Sequence, residues 1–137
     1  MLLLPRRQRT PIHMVTAMLV ACFLGACASG VPQTPAPLSV ESTAGAQPAY
    51  RLADAVSFKL PTAYTRTIKA GSRWAMAGQV PQGRVYRSSG DVFWIEGAHA
   101  HEAYLVVDGG ELVGFYLPVE RSFSSLGYRV PVNFQKL

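Results

Sequence analysis

From Tyr50 onward, apolar and polar residues alternate in short runs, the period of half-buried strands rather than of helices. Val56, Phe58 and Leu60 alternate up to Pro61, and Thr65–Lys69 leads into Ala70-Gly71. Trp74, Met76, Gly78 and Val80 alternate along 73–80 and end at the turn signal Pro81-Gln82-Gly83. Arg84-Val85-Tyr86-Arg87 follows, then Ser89-Gly90-Asp91, then Val92-Phe93-Trp94-Ile95. The clearest unit is Ala103–Val107 and Leu112–Leu117, joined through Asp108-Gly109-Gly110-Glu111, a strong local hairpin signal. Residues 51–58 suit either a strand or a short helix, since Leu52, Ala55 and Val56 fit both periods. Tyr128–Phe134 alternates but carries Pro131, which restricts it to an edge or an extended arm. Six or seven short strands without a long helix predict a mainly β domain over 50–137, an antiparallel sheet rolled into a small barrel or sandwich.

The pattern changes upstream. Residues 28–49 hold four prolines (Pro32, Pro35, Pro37, Pro48) among Ser, Thr, Ala, Gln and Gly, with Glu41 the one charge. So few large apolar groups do not offset the entropy of ordering, and 27–49 reads as a cysteine followed by a tether. Such a tether reaches roughly 25 Å as a coil and roughly 70 Å in polyproline form.

Further upstream, Arg6, Arg7 and Arg9 precede an apolar run from Ile12 to Ala26 of fifteen residues. That run is short of the roughly 18–20 residues of a membrane-spanning helix, and it has the basic start and small-residue end of a secretory signal over 1–26. Leu24-Gly25-Ala26-Cys27 resembles the lipobox of bacterial lipoproteins. The resemblance implies diacylglycerol on the Cys27 thiol, the nucleophile the transfer requires, and cleavage just before it. Leu19-Val20-Ala21-Cys22 also satisfies the pattern. Cys27 is favoured, because cutting at Cys22 leaves an apolar core of only about eight residues. With Ala28 after the cysteine, the resemblance further implies an outer-membrane location facing the periplasm, with the lipid bilayer as one partner.

Thirteen basic against eight acidic residues give +5 over the whole chain. Removal of 1–26 takes away three arginines and no acid, leaving ten against eight, a net +2. The remaining bases, among them Arg51, Lys59, Arg66, Lys69, Arg73, Arg84 and Arg87, are dispersed singly, not clustered as nucleic-acid binding requires. One cysteine remains, so the domain folds without an internal disulfide.

Candidate chemistry concentrates in Glu96-Gly97-Ala98-His99-Ala100-His101-Glu102. In an extended segment His99 and His101 share a face and offer two metal ligands, half of a tetrahedral site. This is the alternative reading, a periplasmic metal or small-ligand protein. Ser88, Ser89, Ser122, Ser124 and Ser125 offer hydroxyls without a nucleophile-elbow motif. Glu96, Glu102, Asp108, Glu111 and Glu120 offer carboxylates for glycoside chemistry. Neither Gly71-Ser72 nor Gly109-Gly110 forms a phosphate loop, and no pattern calls for a cofactor or identifies an enzyme. The remaining lead is aromatic. Phe93-Trp94 and Phe115-Tyr116 must point to opposite faces of their strands, which puts one ring of each pair on the second face. Trp94, Tyr116, Tyr86 and Arg87 are therefore the expected surface for an envelope protein partner, and the expected function is that of a structural or accessory binding module.

Overall fold

The computed structural model describes Leu3, Cys27 and residues 29–40 and 45–137. The rest of the signal segment, with Cys22 and the lipobox residues before Cys27, and Ala28 lie outside the described residues. Among the described residues every regular element is a strand: β1 Thr34–Pro35, β2 Ala49–Leu52, β3 Val56–Lys59, β4 Thr65–Ile68, β5 Arg73–Val80, β6 Gly83–Ser88, β7 Trp94–Glu96, β8 Ala100–Glu102, β9 Tyr104–Asp108, β10 Glu111–Leu117, β11 Ser122–Pro131 and β12 Phe134–Lys136. The segment that suited either period, 51–58, resolves into β2 and β3 rather than a helix. The structure has twelve strands rather than six or seven, and β1, β8 and β12 are pieces of two or three residues, too short to leave a period in the sequence.

Eight strands form one antiparallel sheet in the order β1-β11-β10-β9-β6-β5-β2-β12. Only Val132 and Asn133 separate β11 from β12, which stand near opposite ends of that order, so the sheet must curl strongly. It remains open and sandwich-like rather than a closed barrel. Two-stranded ribbons, β3–β4 and β7–β8, complete the strand set.

The β9–β10 hairpin shows how local sequence fixes register. Asp108 pairs with Glu111 across Gly109 and Gly110, whose φ angles of 57° and 77° are both positive. A two-residue turn of that hand matches the twist of the strands it joins, and glycine adopts it without steric cost.

Alternation then divides the side chains between two cores. Leu105 and Val107 of β9, with Phe115 and Leu117 of β10, enter the larger one, where Val56, Phe58 and Ile68 of β3–β4 and Ile95 of β7 cover them. Val106 and Tyr116 point the other way into a smaller cluster with Val80, Val85 and Phe123. That second face is covered by the chain upstream of β2. Ala36 is buried in the smaller cluster, and Leu38 packs against it. The segment is held by β1 pairing to β11, by the Ala36 amide donating to the Arg121 carbonyl, and by a reciprocal Ser39–Gln79 bridge. Residues 29–40, placed in the tether on sequence grounds, thus lie along the domain, and Ala49 is already part of β2.

Candidate functional site

The four residues expected to form one binding surface do not share one. Trp94 is 44% exposed at the start of β7, and Arg87 is exposed on β6. Tyr116 is buried beneath the upstream segment, its ring 6.2 Å from that of Tyr104. Tyr86 is buried on the larger-core side, stacked on Phe134 at 4.6 Å and edge-on to Tyr50 at 5.4 Å. The alternation separated Phe115 from Tyr116 correctly, but Tyr86 lies on the larger-core face rather than on the second face, and coverage of that second face by 36–38 was not legible from it.

The polar candidates are mostly committed to one another. His99 is exposed, while His101 is largely buried and its Nδ1 contacts the Glu120 carboxylate. Glu96 pairs with Arg66 at 3.1 Å, and the same guanidinium lies over the Phe93 ring at 5.4 Å. Arg129 clamps Asp108 at 2.7 Å and Glu111 at 3.3 Å, and these bonds raise its pKa. Four of the five candidate carboxylates therefore already face a basic side chain. Among the described residues, no group of three or more His, Cys, Asp or Glu is placed to hold a metal. Three of the five candidate serine hydroxyls have partners too: Ser88 and Ser125 accept turn amides, and Ser122 donates to Gln33. Cys27 is exposed.

A cleft of about 730 Å³ lies at one end of the sheet. The β5–β6 turn, the β9–β10 turn and the 132–134 joint frame it, and its walls include Tyr50, Tyr86, Phe134, Arg84 and Asp108. The aromatic trio forms because β2 lies between β5 and β12 in the sheet, which brings together residues distant in sequence. Burial raises the Tyr86 pKa, with the neighbouring Tyr50 adding to the shift and a hydrogen bond from Arg84 opposing it. Asp108 is neutralised by Arg129, whereas Arg84 has no carboxylate partner among the described residues. The cleft thus offers ring surface, a phenol and a guanidinium, groups that bind a ligand but do not assemble a nucleophile with a base. Phe134 lies in the arm that sequence singled out; Tyr50 carried no signal, since nothing local indicates that β2 meets β12.

No protein-family model matches the sequence, and neither the curated proteins nor the solved structures include a significant match.

Proposed function

We propose that this chain is a lipoprotein of a bacterial cell envelope, acylated at Cys27 and held at the periplasmic side of the outer membrane. In this reading its β domain is an accessory module that binds another envelope component and catalyses no reaction. The observation that supports the reading is polarity of the domain: the chain that follows Cys27 meets the domain at the end of the strands opposite the cleft. The Ser29 carbonyl accepts a hydrogen bond from the Ala98 amide in the β7–β8 turn. That ribbon precedes the first residue of β9, while the cleft is framed by the turn after its last. β10 spans the same interval in roughly 20 Å. A module fixed to a membrane at one end benefits from a binding cleft at the other, because anchoring raises the effective concentration of a partner in the same envelope.

The test has two arms. Cys27→Ser should abolish incorporation of labelled fatty acid and release the protein from the membrane fraction. Photo-crosslinking residues at Arg84 and Asn133, beside the cleft, should trap the same envelope species in intact cells, with Thr67 on β4 as a silent control. No common adduct, together with turnover of a substrate by the purified protein, overturns the binding-module reading.

A further inference from the structure

Three exposed apolar side chains lie on turns or edges that are separately tied to the β7–β8 ribbon. Trp94 begins β7, with Val92, 50% exposed, two residues before it. Tyr64, 51% exposed, sits in the β3–β4 turn, where the Thr62 hydroxyl donates to the Glu96 carbonyl. Val119, 78% exposed, sits in the β10–β11 turn, where Glu120 pairs with His101 of β8. Two turns distant in sequence are thus tied to the ribbon that carries Trp94.

The chain leading to the anchor joins the same ribbon. Besides the Ser29–Ala98 bond of 3.1 Å, a side chain at Gly97 would collide with Val31, 2.8 Å from its Cγ2 and 2.9 Å from its amide nitrogen. Cys27 is two residues before Ser29, so covalent geometry keeps their Cα atoms within about 7 Å. Acyl chains on Cys27 would therefore enter a bilayer beside the ribbon, not at the end of a long free tether.

The charges at this end are mixed. Glu96 and Glu120 are engaged by Arg66 and His101, while Glu102 opposite Trp94 and exposed Asp91 have no salt bridge among the described residues. Arg121, exposed at the end of the β10–β11 turn, has no carboxylate partner among them and is the group free to meet a lipid phosphate. Indole and phenol rings favour the headgroup region, where the ring is sheltered and the polar tip stays wet.

We propose that this end of the domain is a membrane-contact face: Tyr64, Trp94 and Val119 rest in the headgroup layer of the bilayer that holds the acyl chains of Cys27, with Arg121 against lipid phosphate. The inference rests on acylation at Cys27 and adds the domain's orientation, with the cleft facing away from the membrane. Each contact is weak by itself. The anchor keeps the face at the surface, so a small gain per side chain is enough to set that orientation.

Brominated acyl chains in phosphatidylethanolamine–phosphatidylglycerol vesicles provide the test, using the full mature acylated protein. Trp74 is buried in the core, so Trp94 is the indole able to report contact. Lipid bromines should quench about half of the tryptophan emission of the wild type and little of that of Trp94→Phe, as expected of one interfacial indole out of two. Iodide in the aqueous phase should quench less when the protein is on vesicles than when it is in detergent-free solution. If mass spectrometry finds the acyl group at Cys27 but lipid quenching is equal in the two proteins, the contact face is overturned and the anchor stands. Shielding of Trp94 from iodide without lipid quenching also overturns it, in favour of a protein contact. An unmodified Cys27 in protein recovered from membranes overturns both.

Discussion

Gly78 lies directly beneath the carbonyl of Ser39, so close that a β-carbon at position 78 would overlap that oxygen and press on the Leu38 side chain at 3.2 Å. Its φ of +147° is also one that residues with side chains rarely adopt. In the strand alternation this glycine reads as a weak point of β5. In the fold it is the close approach that lets Ser39 bridge to Gln79 of β5.

Gly78→Ala should therefore act at a distance. The substitution strains β5 and lifts the segment around Ser39 off Val80, Val85 and Tyr116, a loss of about 2 kcal/mol or more. Gly45→Ala, where nothing lies within 4 Å, should change stability by at most about 0.5 kcal/mol. Urea titration gives the stability difference, and limited proteolysis reports release of the segment around Ser39. A Gly78→Ala protein as stable and as resistant as the wild type would show that the segment is not held there.

The two adjacent aromatic pairs should separate core from surface. Phe115 is 1% exposed, with Phe58 at 5.5 Å and Phe93 at 6.1 Å between ring centres. Phe115→Ala removes that ring from the middle of the larger core and should cost about 3–5 kcal/mol. That is a large share of the roughly 5–12 kcal/mol typical of a domain this small. Trp94→Ala, at an exposed site, should cost under about 1 kcal/mol. Chemical denaturation of both variants provides the comparison, and equal losses would place Trp94 in the core.

The sequence was most informative where structure is local. The Asp108-Gly109-Gly110-Glu111 turn, the alternation along β5, β9 and β10, and the exclusion of Pro131 from a strand centre all follow from two-residue periodicity and turn chemistry. Docking of 29–40 left no such trace. Val31, Ala36 and Leu38 are small or isolated among prolines, and the segment is held by backbone hydrogen bonds and by gaps at Gly78 and Gly97, which no hydrophobic pattern records. The cleft was hidden for a related reason. Tyr50, Tyr86 and Phe134 meet only because β2 bridges β5 and β12, a pairing fixed by how the whole sheet curls. The charged candidates illustrate the converse: Glu96, Asp108, Glu111 and Glu120 were visible in sequence, but their pairing with Arg66, Arg129 and His101 was not.

Alkaline pH should destabilise the fold through two tyrosines. Burial is the largest cause raising the Tyr86 pKa, Tyr50 adds to it, and Arg84 opposes it. Burial likewise leads for Tyr104, with Glu102 adding and Arg87 opposing. In the unfolded chain both phenols ionise near about 10. The folded state therefore holds these protons more tightly than the unfolded state does. The sign follows from linkage: a raised folded pKa gives stability that is complete below the unfolded value and is lost as pH rises through the folded one. Stability should thus stay level with respect to these groups from neutral pH to about 9, then fall above about 10. Lysines lose charge in the same range, so the decisive measurement is a difference. Urea midpoints taken from pH 7 to pH 12 should fall less steeply for Tyr86→Phe/Tyr104→Phe than for the wild type. The phenylalanine at 86 retains the ring that stacks on Phe134 at 4.6 Å, so packing changes little while the ionisable oxygen is removed. Parallel alkaline limbs for the two proteins would mean that neither phenol is held neutral by the fold, and that Tyr86 ionises at the edge of the cleft as freely as it does in the open chain.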